Sequence, residues 1–186
     1  MSDSLITIVA IFLAVILMFI FPLMSIADRN DDMAETTVQA AVTEFVDTAK
    51  STGKITIGEY SKFMSKIEAT GNVYDVEIEV KVLDENVGKK SAWTNGTVIG
   101  ENVYYSVYTT QILGYISDYE ETANNTVTKG GGVYTMKEGD IISVSVKNKN
   151  TTLSQSLRGL FYSMTGNGSY QISAQSSGLV AANGTN

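Results

Sequence analysis

The chain has 186 residues, a net charge of −7 and 18 % charged side chains, and it contains neither cysteine nor histidine. This inventory excludes disulfides, thiolate or imidazole metal sites, and catalysis by a thiol or an imidazole. The 13 basic residues form no cluster and are outnumbered by 20 acidic ones, so no binding to nucleic acid is expected.

The first predicted element is an apolar run from Leu5 to Met24, which contains no charged residue. As a helix it would measure about 30 Å, the thickness of the hydrocarbon core of a bilayer. Apolar residues on every face are unusual for a helix of a soluble core. No Lys or Arg precedes the run, so a retained transmembrane helix is favoured over the alternative, a cleaved signal sequence. Arg29 alone carries positive charge near it, so charge leaves the orientation open.

An amphipathic helix is predicted next, over residues 31–52, as a continuation of the membrane helix. Its apolar positions recur at intervals of three and four residues, and Gly53 is expected to end it. These positions are Met33, Val38, Val42, Phe45, Val46 and Ala49. The acidic residues at its start lack the spacing of a calcium loop. We therefore interpret Asp28, Asp31 and the acidic residues after them as a solvated neck.

A capping box at Thr56 to Glu59 predicts a second helix that stops at Gly71. The apolar side of this helix is expected to comprise Tyr60, Phe63, Met64 and Ile67. Residues 74–82 follow with strict alternation of apolar and charged side chains, which predicts a strand with one buried and one solvated face.

The stretch 103–121 allows two interpretations. Its Tyr, Val and Thr content favours a strand, whereas its apolar residues recur at helical spacing, and we favour the helix. That spacing joins Tyr105, Tyr108, Ile112, Tyr115, Ile116 and Tyr119. Two short strands, at 133–136 and 141–147, are predicted after a run of three glycines.

A second capping box, Thr152 to Gln155, predicts the start of another helix. Its apolar stripe is expected to comprise Leu153, Leu157, Leu160, Phe161 and Met164. A final strand is predicted at 170–176 with Tyr170, Ile172 and Ala174 facing inward. The tail from residue 179 onward is expected to fray.

In order, these elements give an α+β protein with four parts: a transmembrane anchor (1–30), a helical neck (31–71), an antiparallel sheet head (72–178) and a frayed tail (179–186). The order within the head is β-α-β-β-α-β, the split βαβ or ferredoxin-like arrangement with helices on one face of the sheet. This fold supports many functions and by itself predicts none of them.

Candidate chemistry is sparse. Glu77 and Glu79 share one face of a strand about 7 Å apart, as a pair of catalytic carboxylates could, but that face is the solvated one. The run Gly130-Gly131-Gly132 lacks the Lys-Ser/Thr of a phosphate loop and is interpreted as a linker. We expect no enzymatic activity, no cofactor and no metal site. Glycosylation sequons start at Asn95, Asn124, Asn150, Asn167 and Asn183, compatible with an exterior domain.

An apolar N-terminal helix that continues into an amphipathic helix beneath a small α+β head resembles the layout of type IV pilin-like proteins. More specifically, ADRNDDMAETTVQAAVTEFV after the membrane and GDIISVSVKNKN, LSQSLRGLFYSM and YQISAQSSGLV near the end resemble the TadE-like minor pilins of tight-adherence (Flp) pilus systems. The resemblance covers about half of the chain, and residues 55–130 have no counterpart. The start departs from prepilins, because a basic leader ending in Gly and a following Glu are absent, and Asp3 is the carboxylate found there.

The resemblance implies a structural role: a minor pilin or pseudopilin that packs through its apolar helix, with the bilayer, other pilin-like subunits and the pilus assembly machinery as partners. The C-terminal domain would lie outside, attached to the membrane or within extracellular pili. The residues expected to carry packing and docking of the head are Leu5, Ile8, Phe12, Leu13, Ile16, Phe19, Pro22, Val38, Val42 and Phe45. The alternative is a membrane-anchored binding or adaptor module of a cell-envelope complex, with its site near Trp93.

Overall fold

The longest element of the protein is a single helix, α1 (Ser2–Thr52), which runs from the apolar segment into the head. It is seen in a computed structural model that describes residues 2–84, 103–117, 132–162 and 171–184. The helix passes through Pro22 without a break, although proline removes the N–H that would bond to the carbonyl four residues earlier. The predicted continuity of the apolar helix with the amphipathic helix is confirmed.

The remaining elements follow α1 in a mixed order. They are β1 (Lys54–Thr56), α2 (Ile57–Glu68), β2 (Tyr74–Leu83), β3 (Tyr104–Tyr108), α3 (Thr109–Ser117), β4 (Val133–Thr135), β5 (Ile141–Asn148), α4 (Leu153–Tyr162) and β6 (Ser173–Leu179). The α+β class is confirmed. The loop around Trp93, Gly130, Gly131, Tyr119, Met164, Tyr170 and the sequons at Asn95, Asn124 and Asn167 lie outside the described residues.

The strands form a four-stranded antiparallel sheet in the order β3-β2-β5-β6 and a separate pair, β1-β4. In the larger sheet Val80 lies opposite both Val107 of β3 and Ile142 of β5. The second half of α1 contacts β5 and β6 on the inner face of this sheet. A covering helix is what the alternation of β2 requires, because that strand buries only one of its two faces.

The core of the head lies between the sheet, the second half of α1 and the helices α2 and α3. Phe45 of α1 stacks on Phe63 of α2 with their ring centroids 4.8 Å apart. The largest fully buried side chains are Ile55, Ile67, Ile78, Ile112, Ile116, Met136, Ile142, Ile172, Val38, Val42, Val46 and Val80. One apolar position predicted on α1 is wrong, because Met33 is 68 % exposed and its neighbour Ala34 is buried instead.

Several local predictions hold. Both capping boxes are formed: Thr56 Oγ1 accepts from the Glu59 N–H, and Thr152 Oγ1 accepts from the Gln155 N–H. The strand predicted at 74–82 is β2, one residue longer. These patterns are short-range, so the nearby sequence was enough to specify them.

The stretch predicted as one helix over 103–121 combines both interpretations, a strand (β3) followed by a helix (α3). Ile112 and Ile116 are buried, whereas Tyr105, Tyr108 and Tyr115 are exposed, so the expected tyrosine stripe is wrong. Tyr105 and Tyr108 lie in β3, whereas Tyr115 lies in α3. Side chains repeat every two residues in a strand and every 3.6 in a helix, so the helical spacing of the tyrosines does not place them on one face.

The order of strands also differs from the split βαβ prediction. The segment 133–135 pairs with β1, where Ile55 lies opposite Tyr134, rather than joining the main sheet. Strand β3 takes a place at the sheet edge instead, next to β2. β1 was not predicted, because three residues between a helix end and a capping box carry no detectable alternation.

The tail predicted to fray is fixed in place through residue 184. Val180 is fully buried, and the N–H of Ala181 donates to the carbonyl of Lys50, one of the last carbonyls of α1. The N–H of Gly184 donates to Met136, whose own N–H donates to Gly53. The end of the described chain thus covers the end of the long helix.

Gly53 permits this closure, and its replacement by alanine should be costly. Its φ is +67°, and a Cβ there would lie 2.2 Å from the carbonyl oxygen of Ala182. Gly71 has a similar φ of +81° with no atom within 4 Å of its would-be Cβ, so it is a matched control. We expect Gly71→Ala to lower the free energy of unfolding by about 1–2 kcal/mol. Gly53→Ala should cost about 1–3 kcal/mol more, from steric overlap.

Denaturant unfolding of the two variants and the parent, in micelles, measures this difference. If Gly53→Ala and Gly71→Ala lowered the free energy of unfolding equally, the tail would not be in close contact with Gly53.

Candidate functional site: the apolar helix and its junction with the head

The first half of α1 presents apolar side chains to its surroundings on all sides. In the described part of the chain one helix, α1, is long and apolar enough to cross a membrane, and its most apolar window has no buried residue. Among the predicted packing residues, Ile16 is half-buried and the others in this half are exposed: Leu5, Ile8, Phe12, Leu13, Phe19 and Pro22. A helix that packed in the core of its own chain would bury one face.

The three other predicted packing residues lie in the second half of the same helix, where they are buried rather than exposed. Val38 and Val42 are fully buried and Phe45 is almost so, all within the core of the head. The ten residues therefore form two groups on one continuous helix. The first group is largely exposed, and the second lies in the core of the head.

Between the two groups, α4 is attached to α1 by hydrogen bonds. Thr152 Oγ1 donates to Asp31 Oδ2 over 2.7 Å, and the hydroxyl of Ser154 donates to Asp28. Arg158 binds the carboxylate of Asp28 through two nitrogens. Its Nη2 lies 2.9 Å from Oδ2 of Asp28, and its Nε donates to Oδ1 over 3.2 Å. This two-point geometry fixes the position of α4 against α1.

The solvated acidic neck expected here is therefore wrong for two of its members. Asp31 is 6 % exposed, and Asp28 is held by Arg158 and Ser154. The sequence separates these partners by more than 120 positions, so only the tertiary fold brings them together. A signal that could have found Asp31 is its charge, which suits the N-terminus of α4 where Thr152 is the cap.

The electrostatics of this junction depend on pH. Hydrogen bonds from Arg158 and Ser154 lower the pKa of Asp28 below its ordinary value of 3.8. A carboxyl group with a lowered pKa in the folded state contributes stability above its unfolded pKa. That contribution is lost as the pH falls through the folded pKa, since the protonated group no longer pairs with the guanidinium.

Replacing Asp28 by asparagine should remove this pH-dependent contribution. At pH 7 we expect Asp28→Asn to lower the free energy of unfolding by about 1 kcal/mol, reduced by solvent screening because Arg158 is 39 % exposed. Below pH 4 the difference from the parent should shrink. Denaturant unfolding in micelles between pH 7 and pH 3 measures it, with Asp32→Asn, an exposed carboxylate one turn away, as the control. A difference that stays constant across this range would contradict the assignment.

The two glutamates of β2 that share one face of the strand differ in exposure. Glu77 is exposed, whereas Glu79 is half-buried and accepts a hydrogen bond of 2.7 Å from Ser106. Over residues 2–84, 103–117, 132–162 and 171–184, no group of three or more His, Cys, Asp or Glu could hold a metal ion. Two sequon asparagines bond to the backbone: Asn150 accepts from the N–H of Val73 and Asn183 from the N–H of Glu138.

Comparison of the chain with protein-family models, with curated proteins and with solved structures finds no match in any of the three.

Proposed function

We propose that this protein is a structural subunit of a type IV-like (Tad/Flp) pilus, a membrane-anchored minor pilin or pseudopilin that packs through the apolar half of α1. One observation carries the proposal: the apolar half is unburied and continues without a break into a helix embedded in the head. Its partners are the lipid bilayer, other pilin-like subunits and the assembly machinery, and its head lies outside the membrane.

In this proposal the apolar half of α1 moves from the lipid of the membrane into a bundle of similar helices in the filament. Lipid tails are as apolar as leucine, so a helix that is apolar on every side can leave lipid for a bundle of similar helices at little cost. Because α1 is one continuous helix, and α4 is attached to it at Asp28 and Asp31, a shift of the apolar half moves the head with it. Both properties suit a subunit that passes from a membrane into a filament.

The test is to shear the surface of cells that express the tagged full-length chain together with its pilus system. Recovery in the sheared filaments, lost when the assembly ATPase is deleted, is the expected result. Retention of all of the protein in the membrane pellet would overturn incorporation into filaments.

A helix exchange then separates a filament-priming pseudopilin from the alternative, an anchored binding or adaptor module. In the exchange, residues 5–24 are replaced by an unrelated transmembrane sequence of equal length. If the protein packs through its own helix, the exchange should prevent pilus assembly. If it is an adaptor that uses only its head, cells with the exchanged helix should still assemble pili.

A further inference from the structure

The exposed surface of α1 carries a narrow apolar stripe that continues past the end of the charge-free run. From residue 25 to the end of α1, the exposed apolar residues are Ile26, Met33 and Ala40, seven positions apart, and the other exposed residues are polar or charged. Ile26 is 58 % exposed and Met33 is 68 % exposed. The same spacing leads back to Phe19 and Phe12, which are 70 % and 69 % exposed. We call these five residues the outer stripe.

The second half of the outer stripe lies on the side of α1 that faces away from the head. The residues of α1 that the head buries here include Asp31, Ala34 and Val38, which recur every three or four positions. At 3.6 residues per turn, Met33 lies about 140° and Ala40 about 160° around the helix from Val38. Two copies can therefore bring these stripes together with the described parts of their heads on opposite sides of the pair.

The position of the outer stripe along α1 excludes lipid as the cover for its whole length. Met33 lies nine residues beyond Met24, or about 14 Å along the helix axis, and Ala40 lies about 24 Å beyond it. Both are thus well past the end of the run that matches the hydrocarbon core. A repeat of seven residues is instead the pattern by which one helix packs along another.

Orientation and charge favour α1 of a second copy as the partner helix. Copies inserted in one membrane in the same way run parallel, so each presents a stripe of the same spacing and length. The exposed residues from 25 to 43 include one cation, Arg29, and one anion, Asp32, so this side carries no net charge. The chain as a whole carries −7, and like charge makes the approach of two copies unfavourable where it is exposed.

We propose that the outer stripe is a self-association surface, through which α1 packs in parallel against α1 of a second copy. The contact begins within the bilayer at Phe12 and Phe19 and continues outside it at Ile26 and Met33. The inference rests on the proposed packing role of α1. It adds the identity of the partner, the side of the helix that meets it, and the extension of the contact into the half that carries the head.

Cysteine crosslinking in the full-length protein tests the contact, because the chain has no cysteine of its own. We would reconstitute Ile26→Cys, Met33→Cys and Val73→Cys proteins separately into phosphatidylcholine vesicles and add a flexible bismaleimide that spans two helical turns. Val73 is the control, an apolar residue of the head that is 60 % exposed. Crosslinked dimers are expected at positions 26 and 33 but not at 73, and their yield should persist on dilution in lipid. Equal yields at all three positions, or loss of the dimers on dilution, would overturn the proposal.

A nitroxide attached at Met33→Cys identifies what covers this side chain. Against a second copy, collisions with oxygen, which concentrates in lipid, and with a water-soluble nickel complex should both be infrequent. Frequent oxygen collisions would make lipid the occupant, and frequent nickel collisions would leave the position in water. Either result would overturn the proposal.

A charge placed in the outer stripe should weaken the contact without releasing the protein from the membrane. Met33→Lys, introduced into the Ile26→Cys protein, is expected to lower the dimer yield at low protein density roughly tenfold, about the effect of losing one buried methionine side chain. Val73→Lys in the same background should leave the yield unchanged. Equal yields for the two variants would contradict the role of Met33.

The shear test separates this inference from the proposed function. Recovery of the protein in sheared filaments without crosslinking at positions 26 and 33 would overturn only the self-association through the outer stripe. Crosslinking at these positions together with complete retention in the membrane pellet would support the self-association and overturn incorporation into filaments.

Discussion

Replacing Leu13 by arginine should abolish incorporation into filaments and sharply reduce retention in the membrane, while the head stays folded. Leu13 lies near the middle of the charge-free run and is exposed, so the head does not depend on it. An arginine at the centre of a membrane helix costs about 2.5–3.5 kcal/mol on insertion scales. That is roughly a hundredfold shift in the partition of the helix. Fractionation of cells into membrane, soluble and sheared-surface material measures the effect.

Ser51→Arg is the matched control, because it adds the same charge to an exposed position in the last turn of the same helix. It should leave both membrane retention and filament incorporation unchanged. Head stability, followed by thermal unfolding in micelles, should be equal in the two variants. Normal incorporation of the Leu13→Arg protein would refute the packing role of the apolar half.

Replacing Phe45 by alanine should have the largest effect on folding. The ring of Phe45 is buried and stacks on Phe63, so its removal leaves a cavity between α1 and α2. Substitutions of this kind lower the free energy of unfolding by about 3–5 kcal/mol, a large share of the stability of a domain this size. Denaturant unfolding of the full chain in micelles, followed by circular dichroism, would measure the loss.

Phe12→Ala makes the same chemical change on the same helix at a side chain that is 69 % exposed. It should leave the unfolding of the head within error of the parent. A loss of less than about 1 kcal/mol for Phe45→Ala would mean that the second half of α1 is not a core element.

Local patterns explain what the sequence could predict. The alternation of β2 and the two capping boxes are defined by residues at most a few positions apart, and all three appear where expected. The buried side of α1 was also predictable, with Val38, Val42 and Phe45 in the core, because a helix repeats its face every three to four residues.

Distant contacts account for the misplaced features. The sequence around Asp28 and Asp31 predicts solvated charges, because their partners are distant in the chain. The fold brings Arg158 and Ser154 to Asp28. It brings Thr152 to Asp31. Leu153 belongs to the predicted apolar stripe of α4 but is 55 % exposed, because periodicity groups the apolar residues of a helix without showing which of them the protein buries. The pairing of β1 with β4 likewise depends on residues about 80 positions apart.

The closure between residue 53 and residue 184 also sets the order of events in biosynthesis. A ribosome that adds about 5–20 residues per second reaches residue 184 roughly ten seconds after residue 53. Until then the last carbonyls of α1 lack the partner that Ala181 provides, and β5 lacks its neighbour β6. The four-stranded sheet and the closure over the end of α1 are therefore completed only when the last strand has been made.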